Sequence, residues 1–94
     1  MIYYQGETIS KYIYFKDKVG VAIDPNSTEA KVYDSEGTLK ATLTLTKVEV
    51  GKYEINYTVP DGDIVLGDWS IIVKGVKGLY TEIEKIWFTV VKQQ

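Results

Sequence analysis

The sequence predicts an all-β fold, an antiparallel sandwich of about seven strands. Three observations lead there. Apolar and polar residues alternate with a period of two in several segments, turn-forming residues recur roughly every ten positions, and no apolar pattern of helical period lasts three turns. The 94 residues read as one domain spanning 1–94.

The elements follow in order. Gly6 precedes a strand over Glu7–Lys16, with Ile9, Ile13 and Phe15 on one face and Lys11 interrupting that row; Tyr12 and Tyr14 fall on the other. Asp17-Lys18-Val19-Gly20 turns the chain into Val21-Ala22-Ile23, and Asp24-Pro25-Asn26-Ser27 closes the loop. Thr28–Tyr33 places Ala30 and Val32 on one face, and Asp34-Ser35-Glu36-Gly37 is a tight-turn signal. Thr38–Lys47 reads as one strand, with Leu39, Ala41, Leu43 and Leu45 alternating with Lys40, Thr42 and Thr44. After the corner at Glu49-Val50-Gly51, Lys52–Val59 is the clearest strand, with Tyr53, Ile55, Tyr57 and Val59 facing one way. Pro60-Asp61-Gly62-Asp63 ends it, and Ile64–Asp68 connects to Trp69–Lys74, where Trp69, Ile71 and Val73 share a face. Gly75-Val76-Lys77-Gly78 is expected to turn the chain into Tyr80–Lys92, with Ile86, Phe88 and Val90 inward and Trp87, Thr89 and Val91 outward. The terminal Lys92-Gln93-Gln94 reads as the frayed end of a module.

Composition narrows the chemistry. The chain has no cysteine and no histidine, and all 11 cations are lysines. Thiolate catalysis, zinc–thiolate sites, disulfides and the usual general base near neutral pH are excluded. Lysine cannot form the bidentate clamp that arginine makes on phosphate or carboxylate. The net charge of −2 and the lack of a basic patch argue against nucleic acid as a partner. No segment has the roughly 20 apolar residues of a membrane span, and Met1–Gly6 lacks the pattern of a signal peptide. Ser10, Ser27, Ser35 and Ser70 lie in no nucleophile elbow, and phosphate-binding glycine patterns are missing. Carboxylates are the plentiful reactive group. Asp61, Asp63 and Asp68 lie close together, and Asp17, Asp24, Asp34 and Glu36 sit in other turns. Calcium would want several such oxygens, but aspartate populates turns for backbone reasons and no calcium-loop spacing is present. No catalytic residue, metal ligand or cofactor is assigned.

The order of motifs resembles a known family. Gly6-Glu7-Thr8-Ile9, Asp24-Pro25-Asn26-Ser27, the hairpin Tyr33–Leu39, Gly51-Lys52-Tyr53, Tyr57-Thr58-Val59-Pro60, Leu66-Gly67-Asp68-Trp69 and Phe88-Thr89-Val90 are similar to the bacterial and archaeal immunoglobulin-like domains. These include macroglobulin-type modules of surface proteins and domains of phage virions. The resemblance covers nearly the whole chain. It implies an immunoglobulin-like sandwich, no enzyme activity, and a structural or interaction module of a cell-surface, extracellular or virion assembly. It also implies positive φ at Gly51, a corner at Tyr53 whose hydroxyl bonds back to nearby backbone, and Trp69 as a core anchor.

Aromatic residues make up 13% of the chain, more than so small a core absorbs. By alternation, Tyr12, Tyr14, Ile72, Trp87 and Val91 point outward. If the first and last strands share a sheet, these five form one exposed patch that binds a protein partner or neighbouring domain. The alternative is a carbohydrate-binding module that stacks sugars on Tyr12, Tyr14 and Trp87. A bulge near Lys11 or Glu84 would exchange the two faces.

Overall fold

A computed structural model describes residues 1–62 and 64–92; Asp63, Gln93 and Gln94, named above, lie outside the described residues. Among the described residues eight strands form two sheets: β1 Ile2–Tyr4, β2 Thr8–Tyr14, β3 Ser27–Tyr33, β4 Leu39–Leu43, β5 Thr46–Glu49, β6 Lys52–Thr58, β7 Gly67–Lys77 and β8 Tyr80–Val91. One sheet has the order β1-β8-β7-β3-β4 and the other β2-β6-β5. The inward rows pack face to face as a β-sandwich. All ladders are antiparallel except the short parallel pairing of β1 with β8.

Period-two alternation assigned the core faces well. Ile9, Ile13, Phe15, Ala30, Val32, Tyr53, Ile55, Tyr57, Val59, Trp69, Ile71, Val73, Ile86, Phe88 and Val90 are all buried in one cluster. Trp69 anchors it as expected. Its ring is fully buried, tilts against Phe88 at 6.1 Å, and donates its Nε1–H to the Val65 carbonyl at 2.9 Å. Burying such rings is the largest favourable term available to a chain without disulfides, at roughly 2–3 kcal/mol each.

Three expectations need correction. The segment Thr38–Lys47 is not one strand: β4 pairs with β3, and after Thr44-Leu45 the chain enters the other sheet as β5. A register shift where Val32 and Tyr33 meet β4 skips Lys40, so Leu39 sits opposite Tyr33 and is exposed, while Ala41, Leu43 and Leu45 pack on the core. The Gly75–Gly78 turn begins later than expected: β7 runs on to Lys77, and Gly78-Leu79 makes the hairpin. β1 was not expected at all, because three residues carry too little periodicity to identify a strand. No register shift occurs at Lys11 or Glu84; the β2–β6 and β7–β8 ladders run unbroken.

Gly75 shows why that hairpin can stay close to the core. A Cβ placed there would lie 2.5 Å from Cε1 of Phe15, so the ring occupies the space of the missing side chain. Gly75→Ala is expected to cost about 1–3 kcal/mol through overpacking of a ring that has no free volume. A thermal or urea melt measures it, and an unchanged midpoint would contradict the contact.

Candidate functional site

Each outward residue singled out by the sequence faces outward, but the five do not form one patch. β2 pairs along its length with β6, whereas β8 belongs to the other sheet. The inner rows of the two sheets face each other, so their outer rows point in opposite directions. Tyr12 and Tyr14 lie on the outer face of the three-stranded sheet; Ile72, Trp87 and Val91 lie on that of the five-stranded sheet.

The two surfaces differ in chemistry. Beside Tyr12 and Tyr14, the outer row is a polar ladder. Thr8 and Thr58 share a hydrogen bond of 2.8 Å, and the Ser10 hydroxyl donates to Asn56 Oδ1 at 2.5 Å. Lys52, opposite Tyr14, holds its ammonium 4.3 Å from the Tyr12 ring centre and 5.9 Å from that of Tyr14. This is a cation–π contact on a solvated face.

On the five-stranded sheet, Ile72 lies between Lys31 and Lys85, and Ser70 lies between Tyr33 and Trp87. β1 adds Ile2 opposite Thr89 and Tyr4 opposite Val91. Trp87, Ile83, Ile2 and Tyr4 are exposed, while Ile72, Val91 and Tyr33 are half-buried. Lys85 covers one face of Trp87, its ammonium 4.2 Å from the ring centre. A shallow hollow of about 250 Å³ opens beside Trp87, floored by Ser70 and Ile72 and bounded by the Tyr33–Gly37 turn. Sequence reasoning missed Ile2 and Tyr4 because their place depends on a parallel pairing between opposite ends of the chain.

The same sheet carries an open edge. Thr89 donates its N–H to Met1, and the Val91 carbonyl accepts from Gln5, so these odd-numbered residues turn their backbone groups toward β1. By strand alternation Thr81, Ile83, Lys85 and Trp87 do the same. β1 pairs only with Thr89–Val91, so among the described residues these earlier groups have no strand against them.

Four of the loop carboxylates, Asp17, Asp24, Asp34 and Asp68, are occupied with backbone and local contacts. Asp17 Oδ1 accepts from the N–H groups of Val19 and Val21, and Asp34 Oδ1 from those of Glu36 and Thr38. Asp24 is a hub: it accepts from Lys47 at 2.6 Å, from the Gly51 N–H at 2.9 Å and from the Tyr53 hydroxyl at 3.3 Å. Tyr53 thus bonds to the Asp24 side chain rather than to nearby backbone. Gly51 has the expected positive φ, 73°. Among the described residues no three carboxylates gather as metal ligands.

No protein-family model matches the sequence, and no curated protein matches it. Solved structures do. The chain is similar to the filamin domain of Lin-41, with TM-score 0.65 and 14% identity over 96% of this chain and 82% of that one. It is also similar to a DUF4785 family protein from Legionella pneumophila, with TM-score 0.62 and 17% identity over 97% of this chain; it spans about a quarter (26%) of that protein. At such identities the likeness establishes the fold, an immunoglobulin-like β-sandwich.

Two predictions follow from the polar groups. Hydrogen bonding from Lys47, then from the Gly51 N–H, holds the Asp24 carboxyl below the ordinary carboxylate range. A carboxyl whose folded pKa is depressed contributes stability above its unfolded value, about 4, and loses it as pH falls through the folded value. Urea midpoints measured from pH 7 downward should therefore fall more steeply below about pH 4 for the native chain than for Asp24→Asn; parallel curves would refute the hub. The Tyr57 hydroxyl is buried without a hydrogen-bond partner, and burial pushes its pKa up. Tyr57→Phe should leave stability unchanged or raise it by up to about 1 kcal/mol, whereas Tyr53→Phe should lower it by about 1 kcal/mol.

Proposed function

We propose that the chain is a non-catalytic interaction module that binds a protein partner through the β8 edge and the adjoining outer face. The observation that carries this reading is the open edge of β8 from Thr81 to Trp87, lying beside Ile83, Trp87 and Ile72. An extended segment added there gains main-chain hydrogen bonds from Thr81, Ile83, Lys85 and Trp87. Its alternate side chains gain apolar contact with the exposed row. The family resemblance supports placing such a module in a larger cell-surface, extracellular or virion assembly. The surface around Tyr12 and Tyr14 is a weaker docking site in this reading, because its neighbours are already hydrogen-bonded to one another.

Selection of extended peptides from a random library on the immobilised protein tests the reading. Lys85→Pro removes an N–H that faces away from β7, so the β7–β8 ladder keeps its bonds. Selected peptides should lose at least about tenfold in affinity, roughly 1.4 kcal/mol, on Lys85→Pro and on Trp87→Ala. They should be unaffected by Tyr12→Ala. Equal loss on Tyr12→Ala would overturn the assignment to β8. A glycan-array signal abolished by Trp87→Ala would favour sugar binding instead.

A further inference from the structure

The open edge of β8 carries a charge pattern of its own. From Thr81 to Trp87 the odd-numbered residues turn their backbone groups away from β7. Their side chains form the outer row: Thr81, Ile83, Lys85 and Trp87. Glu82 and Glu84 alternate with them and stand in the inward row, which continues as the buried Ile86 and Phe88. Glu84 is exposed and Glu82 half-buried, so both lie where the space between the sheets opens to water.

Neither glutamate has a counterion. The ion pairs among the described residues are Lys31–Glu29 and Lys47–Asp24. Lys77 shares a cleft with Glu82, and Lys11 stands in the inward row of β2, yet neither ammonium comes within 4.0 Å of a β8 carboxylate. Glu82 Oε2 is enclosed and accepts no hydrogen bond among the described residues. The cation of the edge itself, Lys85, lies on the outer face over Trp87. The inward row of the edge is therefore anionic, and the outer row is apolar at Ile83 and Trp87.

A second copy of the chain is the simplest occupant of an open edge, and the register disfavours it. In an antiparallel pair about a twofold axis, odd residues meet odd and even meet even, because opposed residues turn their backbone groups the same way. An axis at Ile83 sets Glu82 against Glu84. An axis at Glu84 sets that residue against its own copy, and an axis at Lys85 does the same for lysine. Every register that pairs most of the stretch from Thr81 to Trp87 thus opposes like charges, which is destabilising.

We propose that the strand accepted by β8 is an extended segment of another protein in which basic residues alternate with apolar ones. Its cations face Glu82 and Glu84 at the rim, where their long stems keep the charge in water. Its apolar side chains lie on the outer face beside Ile83 and Trp87. The inward carboxylates then act in two ways: they repel a like-charged strand, a copy of this chain included, and they select an oppositely charged one. The proposal rests on the reading of β8 as the docking edge and adds the sequence pattern of the ligand.

Two peptides with blocked ends are the probes, one alternating lysine with valine and one alternating glutamate with valine. Fluorescence anisotropy reads their binding to the whole chain. The lysine peptide should bind at least about tenfold more tightly. Glu84→Lys, at an exposed position, should erase that preference, and Glu82→Gln with Glu84→Lys should reverse it. Glu54→Lys makes the same change of charge on the outer face of the other sheet and should leave the preference in place. Circular dichroism checks the fold of each variant, and Glu84→Lys alone suffices if the double variant does not fold. Equal binding of the two peptides, each weakened by Lys85→Pro, would refute the basic pattern yet keep β8 as the docking edge. Binding that Lys85→Pro does not weaken would refute both readings. A preference lost as fully on Glu54→Lys as on Glu84→Lys would trace it to net charge and overturn the proposal. A native chain that dimerises in sedimentation velocity, with the dimer lost on Lys85→Pro, would overturn it too.

Discussion

Everything outside the core depends on contact between two inner rows of side chains. Among the described residues no backbone ladder joins the five-stranded sheet to the three-stranded one, and the chain has no cysteine to bridge them. The sheets are held by the burial of Trp69, Phe88 and their aliphatic neighbours, and by the Phe15 ring, which reaches from the β2 side onto Gly75 of β7. Because side chains alternate, the inner rows also determine which residues must face water.

The same constraint shapes the loop-bearing end. Phe15 is the last core residue of its strand region, and its ring fills the place of a side chain at Gly75. Gly51 must be glycine for two reasons: its φ is positive, and an added Cβ would lie 2.8 Å from both Ala22 Cβ and the Phe15 carbonyl. Asp24 binds that corner through Gly51 and Tyr53. With the inner surfaces so occupied, the remaining apolar residues of these turns are forced outward.

The two outer faces then diverge in role. Around Tyr12 and Tyr14 the polar side chains satisfy one another across the β2–β6 ladder. Around Trp87 the outer row holds Ser70, Ile72, Lys85 and Thr89, with Ile2 opposite Thr89; Ile83, Val91 and Tyr4 lie farther along the same face, and the adjoining edge is open. Lys11 has a protective place on β2, one of the edge strands of the three-stranded sheet. It lies in the inward row of β2, opposite Ile55 and between Ile9 and Ile13, and remains half-exposed. An inward-pointing charge on an edge strand discourages self-pairing, because a second strand would have to bury it. Glu82 and Glu84 likewise place charge in the inward row of β8, in line with Ile86 and Phe88, so a strand added at that edge must leave them in reach of water.

How much was legible in the sequence follows from the range of each interaction. The face of every long strand was legible, since tetrahedral geometry and the pleat set alternation locally; Tyr53, Ile55, Tyr57 and Val59 needed no knowledge of their partners. The positive φ of Gly51 and the anchoring role of Trp69 were implied by the resemblance to immunoglobulin-like domains. Sheet membership was not. The order β1-β8-β7-β3-β4 brings residue 2 beside residue 89, and no local pattern carries that pairing. Nor did alternation reveal that the apolar row of Leu39–Leu45 passes from one sheet to the other, because a strand changing sheets keeps its period. The sequence by itself determined an all-β sandwich and the outward aim of Tyr12, Tyr14, Ile72, Trp87 and Val91. Only the tertiary structure separated those five into two opposed faces, because pairing between distant strands, not periodicity within one, decides which outward side chains meet.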